Sequence, residues 1–129
     1  MIGILLITHD TLGEALIQCA CHVLNKRPAQ VLQLGVAAGD APNDLLPLAR
    51  DMLKLVDKGE GVLIITDIYG ATPSNLAAKL LEPGRVEGLT GANLPMLLRA
   101  LGYRDKDMAT LLKRATGGGR DGVLNMLKH

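Results

Sequence analysis

The sequence predicts an α/β fold: an open, mainly parallel sheet of about four strands with helices on both faces. Two continuous apolar runs carry that reading, Ile2-Gly3-Ile4-Leu5-Leu6-Ile7-Thr8 and Gly61-Val62-Leu63-Ile64-Ile65-Thr66. Runs of this length are strands buried on two faces, and such strands belong to parallel sheets covered by helices on each side. The third observation is the alternation along the chain, β-α-β-α-β-α-β-α-α, which calls for right-handed crossovers between parallel strands.

The elements follow in order. Residues 11–25 place Leu12, Leu16, Cys19 and Val23 at i, i+4, i+7 and i+11, predicting an inward stripe opposite the polar side chains of Glu14, Gln18 and His22. Residues 29–35 form a weaker strand. Residues 44–56 predict a helix with Leu45, Leu48, Ala49, Met52 and Val56 inward and Pro47 in its first turn, the part of a helix that tolerates proline. Thr72-Pro73 predicts an N-cap followed by proline at the first helical position, opening a helix over 74–81 that ends at Pro83-Gly84. Residues 85–90 form the fourth strand, and Asn93-Leu94-Pro95 opens a short helix to Leu101. A last helix over 106–115 turns Met108, Leu111, Leu112 and Ala115 inward. Gly117-Gly118-Gly119 predicts a flexible joint, followed at 123–127 by an antiparallel edge strand or a short helix.

The 129 residues are the size of one domain, 1–129, and a compact chain of this mass buries about two thirds of its extended surface. Fourteen Lys and Arg against 13 Asp and Glu leave a net charge of +1, and the two aromatics, Tyr69 and Tyr103, are too few for a base-stacking platform. Nucleic acid is not an expected partner. No apolar run approaches the roughly 20 residues that span a bilayer, so direct membrane insertion is not expected. The start Met1-Ile2-Gly3-Ile4 lacks a basic segment before its apolar stretch, which points to the cytoplasm. His22 reads as a polar-face residue and His129 as part of a terminus. Cys19 and Cys21 lie about 200° apart around a helix and form no paired ligand set.

In an open parallel sheet the ligand site lies beyond the carboxyl ends of the strands, where neighbouring connections leave in opposite directions. His9 and Asp67 each directly follow an apolar strand. If those strands are neighbours, the carboxylate fixes the imidazole tautomer, frees the lone pair of the other nitrogen and stabilises the cation formed when that nitrogen attacks an electrophile. No Ser or Cys stands where His9 would serve it as a base, so the histidine itself is the candidate nucleophile. After Asp67, the turn Gly70-Ala71-Thr72-Pro73-Ser74 runs into a helix N-terminus, whose free N–H groups suit an anion such as a phosphoryl group. The candidate phosphoryl-binding residues are Gly70, Ala71, Thr72 and Ser74. The string G-x-x-x-x-G-K-[ST] is absent, which excludes a Walker-type ATPase. A rival donor set, His9, Asp67 and Asp10, suits a divalent metal. Against it, Asp10 follows His9 directly and suits a cap for the helix beginning near Thr11.

Ile7-Thr8-His9, Asp67-Ile68-Tyr69-Gly70-Ala71-Thr72-Pro73, Gly91-Ala92-Asn93-Leu94-Pro95-Met96-Leu97 and the closing Gly119-Arg120-Asp121-Gly122-Val123 resemble the mannose-type enzyme IIA family of the bacterial phosphoenolpyruvate:sugar phosphotransferase system (PTS). The resemblance runs over essentially the whole chain. It implies that His9 accepts a phosphoryl group from the phosphocarrier protein HPr and passes it to a IIB-type domain or a regulatory target. Asp67 would orient the ring, Thr72 would supply the family's hydroxyl, and no metal or organic cofactor would be needed. It also implies a homodimer made by exchange of a C-terminal strand, which would give 123–127 its place. Transporter-linked members often continue into a linker and a IIB domain, whereas this sequence stops at His129, so the expectation is a phosphoryl carrier ahead of a sugar transporter. The alternative is a regulatory binding module whose phosphorylation state at His9 selects partners.

Overall fold

The computed structural model describes residues 1–128; the expectation for His129 lies outside them. Four strands, β1 (Gly3–His9), β2 (Val31–Val36), β3 (Val62–Thr66) and β4 (Val86–Leu89), alternate with five helices. The helices are α1 (Leu12–Leu24), α2 (Pro42–Val56), α3 (Thr72–Ala78), α4 (Leu94–Tyr103) and α5 (Met108–Asp121). The strands form one parallel sheet in the order β2-β1-β3-β4, with Thr8 opposite Gly35 and Ile7 opposite Thr66. The α/β class and the element order agree with the sequence reading. β1 and β3 are central and neighbours, so their apolar side chains are buried in both directions.

Alternation along β1 divides the core into two layers. Ile4 and Leu6 pack with α1, α4 and α5 through Ile17, Ala20, Leu97, Ala100, Leu111 and Ala115. Leu5 and Ile7 face the other side, where Ala49, Val56, Leu76, Ala77 and Leu80 cover them from α2 and the α3 region. Each large aliphatic side chain buried in this way contributes roughly 1.5–3 kcal/mol.

Several local expectations are corrected. In α1 the buried stripe is Gly13, Ile17 and Ala20, while Leu12, Cys19 and Val23 are exposed. The reason is close approach: a Cβ on Gly13 would lie 3.1 Å from the Thr8 hydroxyl and 3.4 Å from the Leu6 Cβ, so the helix meets the sheet through Gly13 and Ala20 on either side of Ile17. In α2 Leu48 is exposed, and Pro47 lies inside the helix because the first turn begins at Pro42. α3 is only seven residues long and its N-cap is Ala71, with Thr72 already helical.

The largest difference is at the C-terminus. α5 continues through Gly117, Gly118 and Gly119 to Asp121, where a flexible joint was expected. A Cβ on Gly118 would lie 2.6 Å from the Arg99 Cβ, and one on Gly119 would lie 3.0 Å from the Met96 Cε. The intrinsic helix penalty of glycine, about 1 kcal/mol each, is offset by the close approach of α4 that these positions permit. Residues 123–127 form neither the antiparallel edge strand nor the short helix; they are irregular chain ending in a turn, with Val123, Leu124, Met126 and Leu127 exposed.

Candidate functional site

The chain steps from β1 out to β2 on one side, crosses back past β1 to β3 and continues out to β4 on the other, so the crevice at the carboxyl ends opens between β1 and β3. His9 ends β1 and Asp67 follows β3, and the fold brings them together. Asp67 Oδ2 lies 2.8 Å from His9 Nδ1 and accepts the His9 backbone N–H at 3.1 Å. One carboxylate oxygen therefore holds both the ring and the backbone that carries it. The His9 side chain is 46% exposed and that of Asp67 only 12%. Burial pushes the Asp67 carboxyl up, but the His9 ring and backbone donors, its own backbone amide and the His9 charge outweigh it and hold the carboxyl below its usual range. With Nδ1 turned to the carboxylate, Nε2 is the ring nitrogen that Asp67 does not engage.

The loop after Asp67 is closed by its own polar groups. Gly70, at φ +86°, donates its N–H to Ser74 Oγ at 2.9 Å, and the Ser74 hydroxyl donates to the Ala71 carbonyl at 3.0 Å. Ser74 is thus engaged in building the turn, whereas the Thr72 hydroxyl takes no part in those two bonds. The loop before α4 braces it, with the Gly91 N–H on the Asp67 carbonyl and the Ala92 N–H on the Thr66 carbonyl.

Asn93 is an N-cap. Its Oδ1 accepts the Met96 N–H at 2.8 Å and its Nδ2 donates to the Gly119 carbonyl at 3.0 Å, tying α4 to α5. Tyr69 is largely exposed and borders a cleft of ≈ 510 Å³ that runs past Thr90 and Asn93 to Arg120. Among the described residues none of Arg99, Arg104 and Arg120 forms a hydrogen bond or ion pair with His9. Arg104 is buried at the opposite end of the sheet, where it donates to the Ala29 carbonyl, and Arg99 packs under Gly118.

Thr8 is a residue whose part sequence reasoning missed. Asp10 does not cap α1; the fully buried Thr8 hydroxyl does so from the strand, accepting the Gly13 N–H at 2.8 Å. Asp10 instead adopts φ +44°, a left-handed conformation at the residue after His9. Among the described residues no three His, Cys, Asp or Glu side chains cluster as a metal site. No helix among them is long and apolar enough to cross a membrane.

Fold and site together define an open parallel α/β protein with an imidazole–carboxylate pair at its topological switch point. A family model described as "PTS system fructose IIA component", EIIA-man, matches residues 3–115. The chain belongs to this family: it is a mannose-type PTS EIIA component. It is 30% identical over 125 residues to the mannose-specific EIIAB component of Escherichia coli, covering 95% of this chain and 38% of that protein. It is 29% identical over 109 residues to the E. coli putative phosphotransferase enzyme IIA component YadI, covering 81% and 72% of the two chains. Its fold matches the EIIA phosphotransferase component of Streptococcus agalactiae with a TM-score of 0.87 at 20% identity over the whole of both chains. The chain spans well under half the length of the EIIAB relatives it matches.

Proposed function

We propose that residues 1–129 act as one EIIA domain that carries a phosphoryl group on His9. In this reading the Nε2 lone pair attacks the phosphorus of phospho-HPr. A new N–P bond forms as the bond to HPr breaks, and its electron pair leaves with HPr. The proton stays on Nδ1, donated to the Asp67 carboxylate, whose charge stabilises the ring as it loses electron density to phosphorus. Phosphoryl oxygens are received by the Ala71 N–H, by the Thr72 and Ser74 N–H groups that open α3 and by the Thr72 hydroxyl, while Gly70, whose N–H is committed to Ser74 Oγ, shapes the turn. The Ser74 hydroxyl acts through the shape of the loop. The reverse attack, by a nucleophile on a IIB-type domain or a regulatory target, discharges the carrier. Positioning and electrostatics supply most of what phosphoryl transfer needs.

The observation that supports this best is the 2.8 Å contact from Nδ1 to Asp67 on a ring whose side chain is nearly half exposed. Intact-mass spectrometry after incubation with phosphoenolpyruvate, enzyme I and HPr tests it. Wild type gains one phosphoryl mass and His9→Ala gains none; full labelling of His9→Ala would end the assignment.

A homodimer belongs to the same proposal. β4 is an edge strand, and the segment at 123–127 exposes Val123, Leu124, Met126 and Leu127. Exchange of that segment onto a second copy would cover both an open edge and apolar side chains. Sedimentation of the full chain and of one truncated after Gly122 checks it: the first should be a dimer and the second a monomer.

A further inference from the structure

We infer that Gly35, on the neighbouring strand β2, is a positioning residue for His9: by having no side chain it admits the Asp10 carbonyl and so keeps the imidazole on Asp67. The inference rests on the carrier reading of His9 for its consequence, though not for its geometry.

Gly35 does not have a positive φ, so conformational freedom is not what its position requires. Space is. A Cβ built there would lie 2.2 Å from the Asp10 oxygen and 3.2 Å from the Asp10 carbonyl carbon, both backbone atoms. The Asp10 N–H donates to the Val36 carbonyl at 2.9 Å, so the peptide on one side of Asp10 is fixed while the other lies over Gly35. At φ +44° an L-residue has a narrow choice of ψ, because its Cβ collides with the following carbonyl elsewhere. Asp10 therefore has little freedom to rotate its carbonyl away, and a side chain at position 35 displaces the turn as a unit.

His9 is the next residue back. Both of its contacts with Asp67, the backbone N–H at 3.1 Å and Nδ1 at 2.8 Å, depend on the path of that turn. On the other side Thr8 is held by the Gly13 N–H. Displacement is thus concentrated at His9, and misplacing a reacting group by about 1 Å lowers a rate by about a hundredfold.

The test compares wild type, Gly35→Ala and the double variant Gly35→Ala with Asp10→Gly, all as full chains. Glycine at position 10 lets the carbonyl rotate clear of the new methyl while the Asp10 N–H and His9 stay in place. The readouts are the ¹⁵N and ¹H signals of the His9 ring, which report whether the proton sits on Nδ1, and the rate of phosphorylation by phospho-HPr. In Gly35→Ala the Nδ1-protonated signature should be lost and the rate should fall about ten- to a hundredfold; the double variant should regain both. A folded Gly35→Ala with a wild-type ring signature, even at a lower melting temperature, would overturn the inference by showing a merely structural role. A double variant that folds without regaining the signature would overturn it too, as would failure of both variants to fold. If wild type takes no phosphoryl group, the carrier reading fails, while the ring signals still decide whether Gly35 aims His9.

Discussion

A single oxygen of Asp67, Oδ2, receives both the ring and the backbone N–H of His9, at 2.8 and 3.1 Å. The carboxylate therefore sets the tautomer of the imidazole and the path of the chain beneath it at once. Replacing it by an amide keeps the shape and removes the charge. A hydrogen bond to a charged group is worth about 1.5–3 kcal/mol, and 1.36 kcal/mol is tenfold in rate. Asp67→Asn should slow phosphorylation of His9 by about ten- to a hundredfold, with the labelled position unchanged, as measured by rapid-quench labelling.

The same pair makes stability depend on pH. The Asp67 carboxyl lies below its ordinary value of 3.8 in the folded chain, so the unfolded chain takes up the proton first as pH falls. The stabilisation is complete above about pH 4 and is lost as pH drops through the folded value. Urea unfolding of wild type and Asp67→Asn at several pH values should show a gap at neutral pH that narrows below pH 4. A gap that widens in acid would contradict the depressed carboxyl.

Thr8→Val replaces a buried hydroxyl by a methyl of the same shape and leaves the Gly13 N–H without its acceptor. An unsatisfied buried donor costs about 1–3 kcal/mol. Denaturant midpoints should fall accordingly, and Thr8→Ser, which restores the oxygen, should recover most of the loss.

Adjacent glycines of α5 should respond with opposite sign. Nothing lies within 4 Å of a Cβ on Gly117, so Gly117→Ala should stabilise by about 0.5–1 kcal/mol through helix propensity alone. At Gly118 the new carbon meets the Arg99 Cβ at 2.6 Å, and overpacking of that kind costs about 1–3 kcal/mol. Thermal unfolding of the two variants gives the comparison.

Asn93→Ala removes both the cap of α4 and the bond to the Gly119 carbonyl. Loss of an N-cap costs about 0.5–2 kcal/mol. Asn93→Asp keeps the acceptor for Met96 but not the donor, so its melting temperature should fall between wild type and the alanine variant.

Much of this protein is legible in one dimension. The runs at β1 and β3 can be buried on both faces only in a parallel sheet, and helical periods between them leave one class of fold. The rule that parallel sheets bind at their carboxyl ends then singles out His9 and Asp67 before any contact is known. These features are local, written in the composition of a strand and the residue that follows it. Tertiary structure decided the rest, because each remaining feature depends on what faces a residue from elsewhere in the chain. The inward face of α1 follows Gly13 and Ala20, since the sheet admits small residues there. Gly118 and Gly119 belong in the helix because α4 comes close enough to need them. Thr8 caps a helix across a turn, and Gly35 makes room for a carbonyl of another strand's turn. The sequence alone determined the strands and the pair of residues at their ends; packing between segments distant in sequence decided how closely those elements approach and which nitrogen of His9 meets Asp67.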